Sequence, residues 1–151
     1  MNYQQQAIAG MNPVELIVAL YDGMMQFLYR AIGAIDAGNA RARRIAVGRV
    51  LAILMHLQSR LRMDIGGNSA KALSEFYASI FALCLEGSRL ESPERLREAI
   101  GCIRDVRDAW NIAAHDPEVL QLLNSENGAS PALMRIGPAS VAEPAGAGWT
   151  A

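Results

Sequence analysis

Little in this chain is of the kind that does chemistry alone. Among 151 residues there are two cysteines and two histidines, and 6% are aromatic. Cys84 and Cys102 each lie inside an apolar stretch, not in a Cys-x-x-Cys pair. The simplest reading is two small buried thiols in a reducing cytoplasm, with a disulfide or a metal site as the alternative. Neither His56 nor His115 has Glu or Asp three positions before it, so the paired Glu-x-x-His motifs of a di-iron bundle are missing. No stretch alternates with period two, and no Gly-rich phosphate loop follows a strand. An enzyme is therefore not expected, nor a cofactor or a metal. No apolar run reaches the roughly 18 residues of a membrane span, and MNYQQQAIAG lacks the basic region and apolar core of a signal peptide. Membrane insertion is not expected. A net charge of −1 speaks against a nucleic-acid coat.

What is present is helix. Apolar residues make up 52% of the chain and charged residues 19%, enough to bury a core. A first helix is predicted over 13–36, with Asn12 as cap, Pro13 at the first helical position and Glu15 placed for a capping box. A second spans about 40–64 and stops at Gly66-Gly67, a pair suited to a left-handed turn. A third starts near Asn68 or Ser69 and ends at Gly87. The fourth has Ser92 as cap and runs from Pro93 to about Ala114. Short connections favour antiparallel neighbours, so the expected fold is all-α: an up-down four-helix bundle over 13–115. An N-terminal arm over 1–12 precedes it. Asp116-Pro117-Glu118 can cap a short fifth helix over 116–124, and a flexible tail rich in Ala, Gly, Pro and Ser fills 125–151.

The helices differ in how much apolar surface they carry. Leu96, Ile100, Ile103, Val106, Trp110 and Ala113 form one stripe on the fourth, with Arg104 and Asp108 spaced as an ion pair. Leu73, Phe76 or Tyr77, Ile80 and Leu83 serve the third, and Val47, Val50, Leu54, Leu57 and Leu61 the second. The first has a narrow polar strip of Glu15, Asp22, Gln26 and Arg30. If Leu16, Leu20, Phe27, Ala31 and Ile35 face the core, then Ile17, Val18, Tyr21, Met24, Met25, Leu28, Tyr29 and Ile32 are left on flanking arcs. That surplus needs cover: the N-terminal arm or the C-terminal segment, a second copy of the chain, or a ligand or partner. Methionines such as Met24, Met25, Met55 and Met63 make such a surface adaptable. Gly23 stands mid-helix at a cost of about 1 kcal/mol relative to Ala, which suggests close approach of a neighbour or partner.

Taken in order, Tyr3, Asn12-Pro13-Val14-Glu15-Leu16, Leu20-Tyr21-Asp22-Gly23 and Phe27-Leu28 resemble the flagellar secretion chaperone family FliS. The resemblance continues through Ile65-Gly66-Gly67 with Ala70-Lys71-Ala72-Leu73, and reaches Arg107-Asp108-Ala109-Trp110. It departs at Asn12, where the family has Ser, and in the tail from about Ser125. The resemblance implies a cytoplasmic export chaperone of the bacterial cytosol. Such a protein binds the C-terminal region of flagellin, prevents early polymerisation and aids delivery to the type III export apparatus. It implies further an arm carrying Tyr3 and Ile8 that lies over the bundle as a lid, and export-gate or regulatory proteins as added partners. The partner-binding residues expected from this and from the faces are Tyr3, Ile8, Ile17, Leu20, Tyr21, Asp22, Gly23, Met24 and Leu28.

Two rival readings stand beside it. The surplus apolar surface could close a homodimer of the free protein, or hold another amphipathic helix in a self-associating adaptor. Arg41, Arg43 and Arg44 could be a solvated patch, a contact for an acidic partner or, least favoured, a nucleic-acid site, since no stacking aromatics lie nearby.

Overall fold

A computed structural model describes residues 12–61 and 63–117, and in the second stretch the side chains from 67 onward. The expectations for Tyr3, Ile8 and the arm over 1–11, for 118–124, and for the tail from Ser125 lie outside the described residues. Within them the fold is four helices and no strand: α1 (Pro13–Asp36), α2 (Ala40–Ser59), α3 (Met63–Arg89) and α4 (Pro93–Ala114). Each packs on the helices before and after it in the chain, and α1 closes the ring against α4. Three-residue connections leave no room for a crossover, so neighbours run antiparallel. The seams of α1 with α2 and α4 are the most extensive, and that between α2 and α3 is the sparsest of the four.

Local chemistry explains the ends. Asn12 accepts a hydrogen bond from the Glu15 backbone N–H (2.8 Å) and donates its own amide to Glu15 Oε1 (3.1 Å). The capping box is thus completed between side chains and not onto the Asn12 backbone. Ser92 caps α4 by accepting from Arg95 N at 3.2 Å.

One device serves both the α1–α2 and the α3–α4 turn. Asn39 N–H donates to Ala34 O (2.8 Å) and Gly38 N–H to Ile35 O (3.0 Å), the paired bonds of a Schellman motif with Gly38 at φ 68°. At the other turn Ser92 N–H donates to Gly87 O (2.9 Å) and Glu91 N–H to Ser88 O (3.1 Å), with Glu91 at φ 49°. In each case the third residue then caps the following helix. Asn39 Oδ1 accepts from Ala42 N at 3.0 Å. Glu91 holds a left-handed conformation without being glycine. Its carboxylate reaches Arg43 of α2 at 2.9 Å, while Arg43 Nε donates to Ser88 Oγ at 3.2 Å. Arg43, expected in a surface patch, is therefore a strut of this end.

The second helix ends five residues before its expected limit. Ser59 is its last residue, and Arg60 and Leu61 close it with tight bonds to Leu57 O and Gln58 O, a turn that needs no glycine. Gly67 is used differently: at φ 56°, ψ −140° it breaks α3 near its start. That conformation is open to glycine and strained for other residues.

The largest correction concerns α1. Its core stripe is Val14, Ile17, Tyr21, Met24, Leu28 and Ala31, all at most 2% exposed. Leu20, Phe27 and Ile35, assigned above to the core, are only partly buried beside it, as are Val18 and Met25. A helix that packs deeply on both neighbours buries a wide arc, so a broad apolar face on α1 is no surplus. The large apolar side chains standing in solvent sit elsewhere as well: Ile45 and Met55 on α2, Leu85 on α3, Ile112 on α4, with Tyr29 from α1. The stripe expected for α2 is buried as read, and that of α4 except for half-buried Val106. Cys84 is buried but Cys102 is exposed, and both are free.

The glycines separate by one measurement. A Cβ on Gly23 would meet Ile53 Cδ1 at 3.7 Å, an ordinary contact, so no close approach explains it. A Cβ on Gly87 would meet Leu96 Cδ2 at 2.7 Å and Arg95 Cβ at 3.2 Å. Gly87 is the glycine that α3 and α4 require. In urea denaturation Gly87→Ala is expected to destabilise by about 1–3 kcal/mol through overpacking. Gly23→Ala should stabilise by up to about 1 kcal/mol through helix propensity. The reverse order would refute this account of both positions.

Candidate functional site: an apolar groove beside a hydrogen-bonded aromatic core

At the centre of the bundle three aromatic side chains share hydrogen bonds. The Tyr21 and Tyr77 hydroxyls are 2.7 Å apart, and Trp110 Nε1 donates to the Tyr21 hydroxyl at 3.3 Å. With Trp110 donating, Tyr21 accepts once and shares one further proton with Tyr77. The Tyr21 and Tyr77 rings meet edge to face at 6.2 Å, and Phe76 tilts against Tyr77 at 5.7 Å. Among the described residues no buried side-chain polar atom lacks a partner.

The next residue outward repeats the connection in charged form. Arg107 Nε donates to Asp22 at 2.8 Å and its Nη1 to Asp108 at 2.9 Å. These two carboxylates raise the guanidinium pKa above its usual value, the Asp22 hydrogen bond most. Arg104 donates to the Tyr29 hydroxyl at 2.9 Å and not to Asp108, the partner its spacing suggested. Thus the Leu-Tyr-Asp-Gly of α1 meets the Arg-Asp-Ala-Trp of α4 as a clasp, Tyr21 to Trp110 and Asp22 to Arg107.

This places the expected partner-binding residues. Ile17, Tyr21, Met24 and Leu28, expected to line a partner surface, are each at most 2% exposed and belong to the hydrophobic core cluster. Leu20 is half-buried against the core, Asp22 is in the clasp, and Gly23 lies beside Ile53. Tyr3 and Ile8 lie outside the described residues. Helical spacing on α1 fits two stripes about equally, and only the aromatic partners on α3 and α4 choose between them.

Among the described residues an open apolar surface lies at the sparse seam between α2 and α3. A groove of about 520 Å³ is lined there by Leu54, Met55, Tyr77, Ala78 and Phe81, with Gln58, Ser59 and Ser74 at one end. Met55 is 64% exposed and Phe81 partly buried. Gln58 Nε2 donates to Ser74 Oγ at 2.7 Å, a side-chain hydrogen bond that bridges the seam at this end, as Arg43 to Ser88 does at the other. Tyr77 joins the two features: its hydroxyl belongs to the core and it also lines the groove. An apolar trough with a polar end fits the greasy face of an amphipathic helix. Met55 was legible in the sequence as an adaptable side chain, but its pairing with Phe81 was not, because it depends on how α3 is turned. Among the described residues no group of three or more His, Cys, Asp or Glu could hold a metal ion, and no helix is long and apolar enough to cross a membrane.

Comparison with known proteins bears on this bundle directly. The family model described as "Flagellar protein FliS" matches residues 1–117. Similar curated proteins include the flagellar secretion chaperone FliS of Campylobacter jejuni, 29% identical over 79% of this chain and 93% of that protein. That of Vibrio cholerae is 26% identical over 69% of this chain and 76% of its own length. The flagellar secretion chaperone FliSB of Pseudomonas aeruginosa is 26% identical over 75% and 93%. The chain is a helical-bundle protein of the secretion-chaperone class. It belongs to the FliS family of flagellar proteins.

Burial raises the Tyr77 phenol to about 12, and Tyr21 also lies well above the usual value, chiefly through burial. In the unfolded chain both ionise near pH 10. Their folded pKa is the higher, so the stability they contribute is whole below about pH 10 and is lost as pH rises toward 12. Phenolate absorbance from these two residues, assigned with Tyr21→Phe and Tyr77→Phe, should appear only as helical circular dichroism is lost. Ionisation inside an intact helical protein would contradict their burial. Tyr21→Phe removes the shared oxygen and should cost about 1–3 kcal/mol in denaturation experiments, and Tyr21→Asp should abolish folding.

Proposed function

We propose that this protein is an export chaperone of the cytoplasm that binds the C-terminal segment of flagellin, delays its polymerisation and delivers it to the flagellar type III export apparatus. Membership of the FliS family supports the class, and the observation that carries the binding mode is the α2–α3 groove, with Met55 exposed at its edge. A flagellin segment with an amphipathic helix would lay its apolar stripe over Met55, Ala78 and Phe81. Each Å² of apolar area removed from water contributes about 25 cal/mol. Ordering a disordered segment costs about 2–5 kcal/mol or more, so an interface longer than this groove alone is expected, the segment running on along the bundle. Export-gate or regulatory proteins would be further partners, and dimerisation of the free chain would be compatible with a 1:1 complex.

Isothermal titration of the full chain with the C-terminal peptide of flagellin from the same source tests this. Binding near or below micromolar, about −8 kcal/mol or better, with a negative heat-capacity change is expected. Met55→Asp and Ala78→Asp, both at exposed positions, should weaken binding by about 2 kcal/mol while the melting curve is retained. No heat and no complex by light scattering would reject the proposal. Unaltered binding by both variants would reject the groove.

A further inference from the structure

On the other flank of α2 the surface changes character. Helix α2 carries Arg41, Arg43, Arg44 and Arg49 and neither Asp nor Glu, in a chain of net charge −1. Cations clustered near a helix N-terminus oppose the helix dipole and repel one another. Arg43 is neutralised by Glu91. Arg41, Arg44 and Arg49 have no carboxylate partner among the described residues. From α1, Arg30 reaches the same region and sits 5.2 Å over the Phe27 ring, again without a carboxylate. Between these cations the α1–α2 seam opens into a groove of about 460 Å³ lined by Phe27, Arg30, Ala42, Ile45, Ala46 and Arg49. Ile45 stands 52% exposed at its edge.

We propose that this groove docks an acidic amphipathic helix of a protein partner, with apolar side chains over Phe27 and Ile45 and carboxylates on Arg30, Arg49 and Arg41. Charge complementarity selects the occupant: unneutralised guanidinium groups border an apolar floor, so the ligand must present carboxylates and grease on adjacent faces. Spacing sets its form. Arg41 and Arg49 are eight residues apart, about 12 Å along the axis, which carboxylates at i, i+4 and i+8 of a second helix would match. Nucleic acid fits less well, because Arg30 already covers Phe27 and leaves no free ring for a base to stack on. A flat bilayer fits less well too, since the floor is recessed between two helices. The groove lies on the opposite flank of α2 from the Met55 trough, so both can be filled together, and the inference does not rest on the flagellin reading.

The test uses the full-length chain and a labelled synthetic amphipathic peptide of about five helical turns, with Glu on its polar face and Leu on its apolar face. Its controls are the same peptide with Lys for Glu, a single-stranded oligonucleotide and anionic phosphatidylserine vesicles. Fluorescence anisotropy should show the Glu peptide binding at least about tenfold tighter than the Lys peptide, with affinity falling steeply as salt is added. Arg49→Glu and Ile45→Ser, both at exposed positions and checked by melting curves, should each weaken it about tenfold. Arg49→Lys should retain most of the binding, and the flagellin peptide should bind Arg49→Glu as it binds the unmodified chain. Equal binding of the Lys peptide, unchanged affinity in both variants, or displacement of the Glu peptide by oligonucleotide or vesicles would overturn the proposal. Failure of the flagellin peptide alone would count only against flagellin binding in the α2–α3 groove.

Discussion

A phenol oxygen at the centre of an apolar bundle is costly unless its hydrogen bonds are made, and the Tyr21 hydroxyl makes them with two other helices. Tyr77 comes from α3 and Trp110 from α4, so one oxygen fixes the rotation and height of three helices relative to one another. Apolar packing alone tolerates a helix turned by tens of degrees if volume is preserved; a buried donor–acceptor set does not. This explains why α1 shows its core the stripe carrying Tyr21, Met24 and Leu28 and not the similarly greasy stripe of Leu20, Phe27 and Ile35. The Asp22–Arg107 pair, half in water, adds little energy but repeats the same register between α1 and α4.

Helix α2 takes no part in that aromatic network. It is held by the apolar row from Val47 to Leu57, by the Gln58–Ser74 bond and by Arg43 at the α3–α4 turn. A trough lies on each side of α2, one apolar beside α3 and one basic beside α1. The same geometry gives Tyr77 two faces, since it carries the core hydrogen bond on one side and lines the apolar trough on the other.

Much of the architecture was legible in the sequence because it is encoded by short-range chemistry. Asn12-Pro13 and Ser92-Pro93 set the starts of α1 and α4, and the α2 and α4 stripes are spaced for one buried face each. Where two readings had equal local support, tertiary contacts decided. Gly66-Gly67 looked like the end of α2, yet Arg60 and Leu61 end it with tight turns and Gly67 bends α3. Gly23 looked like a site of close approach, yet that role belongs to Gly87, whose need is visible only when Leu96 is seated against it. The candidate site was least legible, because a greasy α1 reads as unpartnered surface until its partners on α3 and α4 are known.

The motifs that link this chain to its family therefore describe the scaffold more than the binding surface. Tyr21, Asp22, Arg107 and Trp110 join α1 to α4 through hydrogen bonds that hold the helices in register. The side chains that line the two grooves are ones the clasp does not use, Met55 and Phe81 on one flank of α2, Ile45 and Arg49 on the other. These can change without disturbing a buried hydrogen bond, since each acts through exposed area or charge. A bundle built this way separates two sets of side chains: one keeps three helices in register, and the other lines the grooves along the flanks of the fourth.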